Sequence, residues 1–80
     1  MEASVETKVK DIVAMVLGVQ VDGIADDTAI GDIPEWDSLH HIQIISAIEK
    51  EFGFRFTPDI MMDLEDVSDL VHAVKARVEK

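Results

Sequence analysis

The sequence predicts an all-α fold, a bundle of three longer helices and one short helix with a long ordered loop between helices one and two. Apolar residues recur at helical spacing in three segments. Capping residues, glycines and a proline stand where those segments begin or end. We expect a single domain over residues 1–80, because a chain of 80 residues can build one modest core.

The first predicted helix covers residues 4–17. Ser4 is a suitable N-cap, and Gly18 is suited to the left-handed turn that ends many helices. The buried face has the three- and four-residue spacing of a helix, and it consists of Val5, Val9, Ile12, Val13, Val16 and Leu17.

The connection from Leu17 to Ser38 is longer than the usual two to eight residues or so between bundle helices. Apolar residues spaced along it are expected to fix it onto the bundle, namely Val19, Val21, Ile24, Ile30 and Ile33. A short strand pair at residues 19–21 and 54–56 is an alternative. An isolated two-stranded ladder is only marginally stable in water, so the helical fold is favoured.

Helix two begins after Asp37-Ser38 and ends before Gly53, with a stripe of Leu39, Ile42, Ile45, Ile48, Glu49 and Phe52. Thr57-Pro58 then opens a short helix that extends to about Leu64, since proline is well tolerated at the first helical position.

Asp66 is the expected N-cap of the last helix. The apolar residues Leu70, Val71, Val74 and Val78 form its buried face. Lys75 and Arg77 lie near the negative C-terminal end of its dipole.

The composition is strongly acidic. Seven Lys and Arg face seventeen Asp and Glu, for a formal charge of -10. Nucleic acid and anionic membranes should be repelled, and proteins with basic docking patches attracted. The longest apolar run, residues 12–19, is too short to span a bilayer, so no stable membrane insertion is expected. A cytoplasmic monomer is the simplest expectation.

No catalytic or metal-binding residue is assigned. The chain has no cysteine, so any thiol chemistry needs a borrowed thiol. His40 and His41 are neighbours on a helix and do not face each other, and we interpret them as solvated side chains. Ser38 and His41 are close enough in sequence to suggest a hydrolase, but no nucleophile elbow or oxyanion hole accompanies them.

The segment Trp36-Asp37-Ser38-Leu39 places a hydroxyl at the start of helix two. As an ordinary cap, such a serine contributes about 1 kcal/mol, and Ser38→Ala would cost about 0.5 to 2 kcal/mol. A helix N-terminus also offers unpaired N–H groups and a positive dipole end, which suit a phosphoryl group. Ser38 is therefore either a cap or an attachment point.

The order of the elements, with Asp37-Ser38-Leu39 opening helix two, resembles the acyl carrier protein family. The resemblance covers essentially the whole chain and implies the acyl-carrier-like bundle. It includes the acidic loop residues Asp26-Asp27-Thr28, the segment Ala47-Ile48-Glu49-Lys50-Glu51-Phe52-Gly53, and the short helix before Val67.

The resemblance implies that Ser38 carries 4'-phosphopantetheine, which a separate phosphopantetheinyl transferase takes from coenzyme A with Mg²⁺. The thiol of that arm would hold an acyl or aminoacyl group as a thioester. Loading enzymes, synthases and transferases would then do the chemistry, in fatty-acid, polyketide or related specialised biosynthesis. The alternative is an acidic helical protein-interaction module without a prosthetic group.

The resemblance also implies two surfaces. Partners would contact Asp37, Leu39, His40, Gln43, Met61 and Met62. An acyl chain would enter beside Ile48, Phe56, Met61 and Leu64, although ordinary core packing is the alternative, above all for Ile48 and Leu64. Unlike most fatty-acid-synthesis members, helix two begins with His40-His41 and has Gln43 where acidic residues are usual. Together with Trp36, this favours a specialised carrier.

Overall fold

The computed structural model describes residues 4–78, and this part of the chain contains four α-helices. They are α1 (Val5–Leu17), α2 (Ser38–Phe52), α3 (Pro58–Asp63) and α4 (Val67–Val78). Helix α1 packs against both α2 and α4. No strand forms within residues 4–78, so the predicted all-α fold with three longer helices and one short helix is confirmed.

The helix ends follow from local sequence. The side chains of Ser4, Thr57 and Asp66 each accept a hydrogen bond from the backbone N–H three residues later. Gly18 and Gly53 end α1 and α2 in the left-handed region, with φ of 70° and 76°. Residues with a β-carbon adopt that conformation at a cost, which explains glycine at both positions.

One continuous hydrophobic core joins the helices. Trp36 is its largest fully buried side chain, only 1% exposed, although it precedes α2 and belongs to no apolar stripe. Aliphatic side chains supply most of the remainder. The buried apolar residues are Val9, Ile12, Val13, Ala14, Leu17, Ile24, Trp36, Ile44, Ile45, Ile48, Phe56, Leu64, Val67, Leu70, Val71 and Val74.

The loop between α1 and α2 is attached to the junction between α3 and α4. Main-chain hydrogen bonds of 2.9 to 3.0 Å join residues 26, 28 and 30 to residues 68, 67 and 65. Ile24 is buried in the loop as predicted. The expectation for Val21 was wrong: it is 40% exposed, because it begins a 3₁₀ helix, Val21–Gly23, that buries none of its residues.

The strand pair considered at residues 19–21 and 54–56 does not form in the described chain. Residues 54–57 run as an extended connection without regular structure. The Phe56 N–H donates to Oε2 of Glu49 at 2.8 Å, and the rings of Phe54 and Phe56 pack edge to face with centroids 4.9 Å apart. Side-chain contacts therefore hold this connection in place of the hydrogen bonds of a strand pair.

None of the helices within residues 4–78 has the length and apolar character needed to cross a membrane.

Candidate functional site

Asp37 caps α2. Its backbone is extended, with φ of -105° and ψ of -174°, and its Oδ1 accepts from the His40 N–H at 2.9 Å. The same oxygen lies 2.8 Å from Nδ1 of His40, which must donate because a carboxylate can only accept. Ser38 is consequently the first helical residue. The alternative in which Ser38 is the cap of this helix was wrong, because its neighbour Asp37 makes the capping bond.

The capping bond also determines how Asp37 titrates. The His40 backbone N–H is the main cause of the lowered pKa of this carboxyl group, and the His40 side chain adds to the effect. A carboxyl group with a lowered folded-state pKa stabilises the fold above its ordinary value of 3.8, and that contribution disappears as the pH falls through the lowered pKa.

We therefore expect Asp37→Ala to lower the urea midpoint at neutral pH and to reduce the loss of stability on acidification. Asp37→Asn keeps a good cap but cannot ionise, so it should retain most neutral-pH stability while showing the same reduced acid dependence as alanine. Circular dichroism during urea titrations at several pH values measures both effects. Wild-type stability and acid dependence in Asp37→Ala would contradict this role.

Ser38 is exposed at the N-terminus of α2. The first N–H groups of a helix have no partner within the helix, and the positive end of the dipole lies there. The adjacent Asp37 carboxylate is held by hydrogen bonds from the backbone N–H and the ring of His40. A solvent-accessible hydroxyl beside these donors fits a phosphodiester such as the one that links phosphopantetheine to serine.

His41 differs from the prediction. It is half-buried rather than solvated, and both ring nitrogens are engaged. Its Nδ1 accepts from Nε1 of Trp36 at 2.9 Å, and its Nε2 lies 2.7 Å from the Leu64 carbonyl oxygen. The two rings are 5.8 Å apart at a tilt of 31°. Neither nitrogen remains to activate Ser38, which argues against the hydrolase considered from sequence.

The predicted partner-contact residues divide into two groups. Asp37, Leu39, Gln43 and Met62 are exposed, with Leu39 at 61% and Met62 at 81%. His40 and Met61 are half-buried, and Met61 packs against the core. Ile42, which was not assigned to this surface, is 57% exposed one turn after Leu39. The helical spacing of Leu39 and Ile42 is the signal that identifies it.

The residues predicted to line an acyl pocket all join the main core. Ile48, Phe56 and Leu64 are buried, at 0%, 6% and 5% exposure, and Met61 packs against them from the edge. An open groove of about 520 Å³ lies elsewhere, lined by Ser46, Glu49, Lys50, Gly53, Phe54 and Arg55. The predicted acyl pocket therefore stays a prediction.

The small helical bundle with an exposed serine at the start of α2 is the arrangement that the resemblance to carrier proteins predicts. Residues 7–74 match the family described as "Phosphopantetheine attachment site". Over 73 residues the chain is 33% identical to an acyl carrier protein of Clostridium acetobutylicum, a match that covers 91% of this chain and 95% of the relative. The chain belongs to the acyl carrier protein family, whose prosthetic group is phosphopantetheine.

Proposed function

We propose that Ser38 carries the 4'-phosphopantetheine and that residues 1–80 act as one carrier domain, without catalytic activity of its own. The observation that supports this most directly is the exposed Ser38 hydroxyl at the first position of α2, beside a cap that another residue provides. When bound, the arm supplies a thiol that holds an acyl or aminoacyl group as a thioester. The protein's own residues position the arm and present it to partner enzymes.

The test is incubation with coenzyme A, Mg²⁺ and a broad-specificity phosphopantetheinyl transferase, followed by intact mass spectrometry and peptide mapping. We expect one phosphopantetheine per chain, on the peptide that contains Ser38. An unchanged mass would contradict the proposal and favour the alternative, an acidic interaction module without a prosthetic group. Attachment at another serine would contradict the site but not the class.

We propose that partner enzymes bind the exposed face of α2 around Leu39, Ile42 and Gln43, together with Met62 of α3. No acidic residue lies in the first turn of α2, although the whole chain carries a charge of -10. The overall negative field would steer basic transferases and synthases towards the protein, while the contact itself is largely apolar.

We expect Ile42→Ser to lower kcat/KM for loading by the transferase about tenfold, mainly through KM, because burying one isoleucine contributes about 1.5 kcal/mol or more. Met15→Ser is the matched control, since Met15 is 70% exposed but lies on α1. Steady-state kinetics with each variant as the substrate provides the measurement. Equal losses in both variants would contradict a docking face on α2.

The cargo is proposed to belong to specialised biosynthesis rather than to bulk fatty-acid synthesis. The uncharged side chains of Gln43 and Ser46, with His40 at the helix start, support a partner surface different from one that reads acidic residues. Trapping the thioester on Ser38 in the native host and determining its mass tests this. A series of lengthening saturated acyl groups would contradict the specialised role.

A further inference from the structure

We propose that His41 is a positioning residue for the Ser38 site: its neutral ring joins the Trp36 indole to the Leu64 carbonyl, and the bond to the indole opens when the ring is protonated. The segment that ends at Ser38 would then be less firmly held against the junction between α3 and α4. The inference rests on the proposed function only where it concerns loading of Ser38.

The two bonds define one protonation state. The indole Nε1–H of Trp36 can only donate, so Nδ1 of His41, 2.9 Å away, must be without a proton. A carbonyl oxygen can only accept, so Nε2 must carry the proton that points at Leu64 O, 2.7 Å away. The ring is therefore neutral in a single tautomer.

Protonation of Nδ1 would set two N–H groups against each other. Trp36 cannot turn to water for a new acceptor, because its side chain is only 1% exposed. A buried donor without an acceptor is strongly disfavoured. The bond between Trp36 and His41 must therefore break when the imidazolium forms, and the His41 ring or the Trp36 side chain must move.

The hydrogen bonds of His41 to Trp36 and Leu64 lie next to the Ser38 site in the fold. Trp36 is two residues before Ser38, and Leu64 is the C-cap of α3. His41 thus connects the start of α2 directly with the junction between α3 and α4, at Leu64, 23 residues further along the chain. The loop on the other side has its own main-chain bonds to residues 65, 67 and 68, so opening would free the α2 end rather than unfold the loop.

Three acidic groups on the segments next to His41 in the fold have other contacts. Asp37 binds His40, Asp66 caps α4, and Asp69 accepts from the Glu65 N–H at 3.1 Å. Both hydrogen-bond partners of the ring are uncharged, so protonation gains no ion pair from them. The ionisable groups on the surrounding segments are Glu35, Asp37, His40, Asp63, Glu65, Asp66 and Asp69.

The single tryptophan makes the test direct, because a ¹⁵N-labelled sample has one indole N–H resonance. We propose to follow it in the full chain without the prosthetic group, from neutral pH down to the lowest pH at which the chain stays folded. We expect the indole resonance to shift and exchange faster with water on acidification. The backbone amide of Glu65, which follows the Leu64 carbonyl, should shift with the same midpoint.

Two variants distinguish the protonation of His41 from a general effect of pH on the protein. His41→Gln offers an acceptor and a donor on one flat group, so it should hold the indole resonance near its high-pH position throughout. His40→Gln should leave the titration intact. An indole resonance that does not move, that still titrates in His41→Gln, or that stops titrating in His40→Gln would overturn the proposal. If His41→Gln fails to fold, the wild-type and His40→Gln titrations still decide it.

The loading rate adds a functional measurement. Wild type and His41→Gln are loaded by the same transferase at each pH, so the pH dependence of the enzyme itself cancels in the ratio of their kcat/KM values. We expect the ratio of wild-type to His41→Gln kcat/KM to fall several-fold on acidification. A constant ratio would overturn the positioning role. Failure of both proteins to load at any pH would instead contradict the proposed function. The titration of the indole resonance would then still test the hydrogen bond between Trp36 and His41, because it does not depend on loading.

Discussion

Replacement of Ser38 by alanine is expected to abolish attachment of phosphopantetheine while leaving the fold unchanged. The hydroxyl oxygen is the atom to which the proposed arm is joined, and no other residue can replace it at this position. The capping bond of α2 belongs to Asp37, so removing the Ser38 oxygen breaks no cap. We therefore expect a change in unfolding free energy of no more than about 0.5 kcal/mol, as for an ordinary surface substitution.

Ser46→Ala is the matched control for this experiment. Ser46 is also exposed and also lies on α2, two turns after Ser38. Intact mass after incubation with coenzyme A and transferase should show the added arm in wild type and Ser46→Ala and none in Ser38→Ala. Urea titrations show whether each variant is folded. A Ser38→Ala protein that still gains the arm would exclude this serine as the attachment site.

Replacement of Trp36 by alanine is expected to cause the largest loss of stability. The side chain is the largest fully buried one in the described chain, and removal of a buried tryptophan typically costs about 3 to 5 kcal/mol. Small domains have total stabilities of about 5 to 15 kcal/mol, so the variant should be partly unfolded at moderate temperature. Circular dichroism must be used, because the substitution removes the only tryptophan.

Two further variants identify the cause. Trp36→Phe fills much of the same space but has no indole N–H for His41, so its loss of stability should lie between those of wild type and Trp36→Ala. Met62→Ala, at a side chain that is 81% exposed, should change the unfolding free energy by less than about 0.5 kcal/mol. Unfolding of Trp36→Ala at the wild-type urea midpoint would show that Trp36 does not support the core.

The helices were predictable because their signals are local. Gly18 and Gly53 mark the ends of α1 and α2, and Thr57-Pro58 marks the start of α3, each through backbone conformation or a bond three residues away. Periodicity also identifies most of the buried faces. It was wrong for Val78, which was predicted to be buried on the last helix and is 43% exposed, and Leu39 and Ile42 of the α2 stripe are exposed as well. By contrast, Asp37 and Ser38 are both good caps, and only the backbone geometry shows which of them makes the bond.

The tertiary contacts of Trp36 and His41 could not be read from the sequence. Trp36 lies in a loop, so no helical stripe assigns it to the core, and His41 bonds to Leu64 across 23 residues. A histidine on an amphipathic helix is ordinarily solvated, and local rules contain no information about a distant carbonyl. The position of Ser38 at the start of a helix could be predicted, because the signals for a helix start are local.

The acidic loop is fastened to the α3–α4 junction through main-chain atoms at residues 26, 28 and 30. These main-chain hydrogen bonds do not depend on which side chain is present, because every amino acid except proline supplies the same amide and carbonyl groups. Asp27, exposed between two of these anchors, can therefore be exchanged while the scaffold keeps its shape. Exchanges of this kind would change the charge of the loop without rebuilding the bundle.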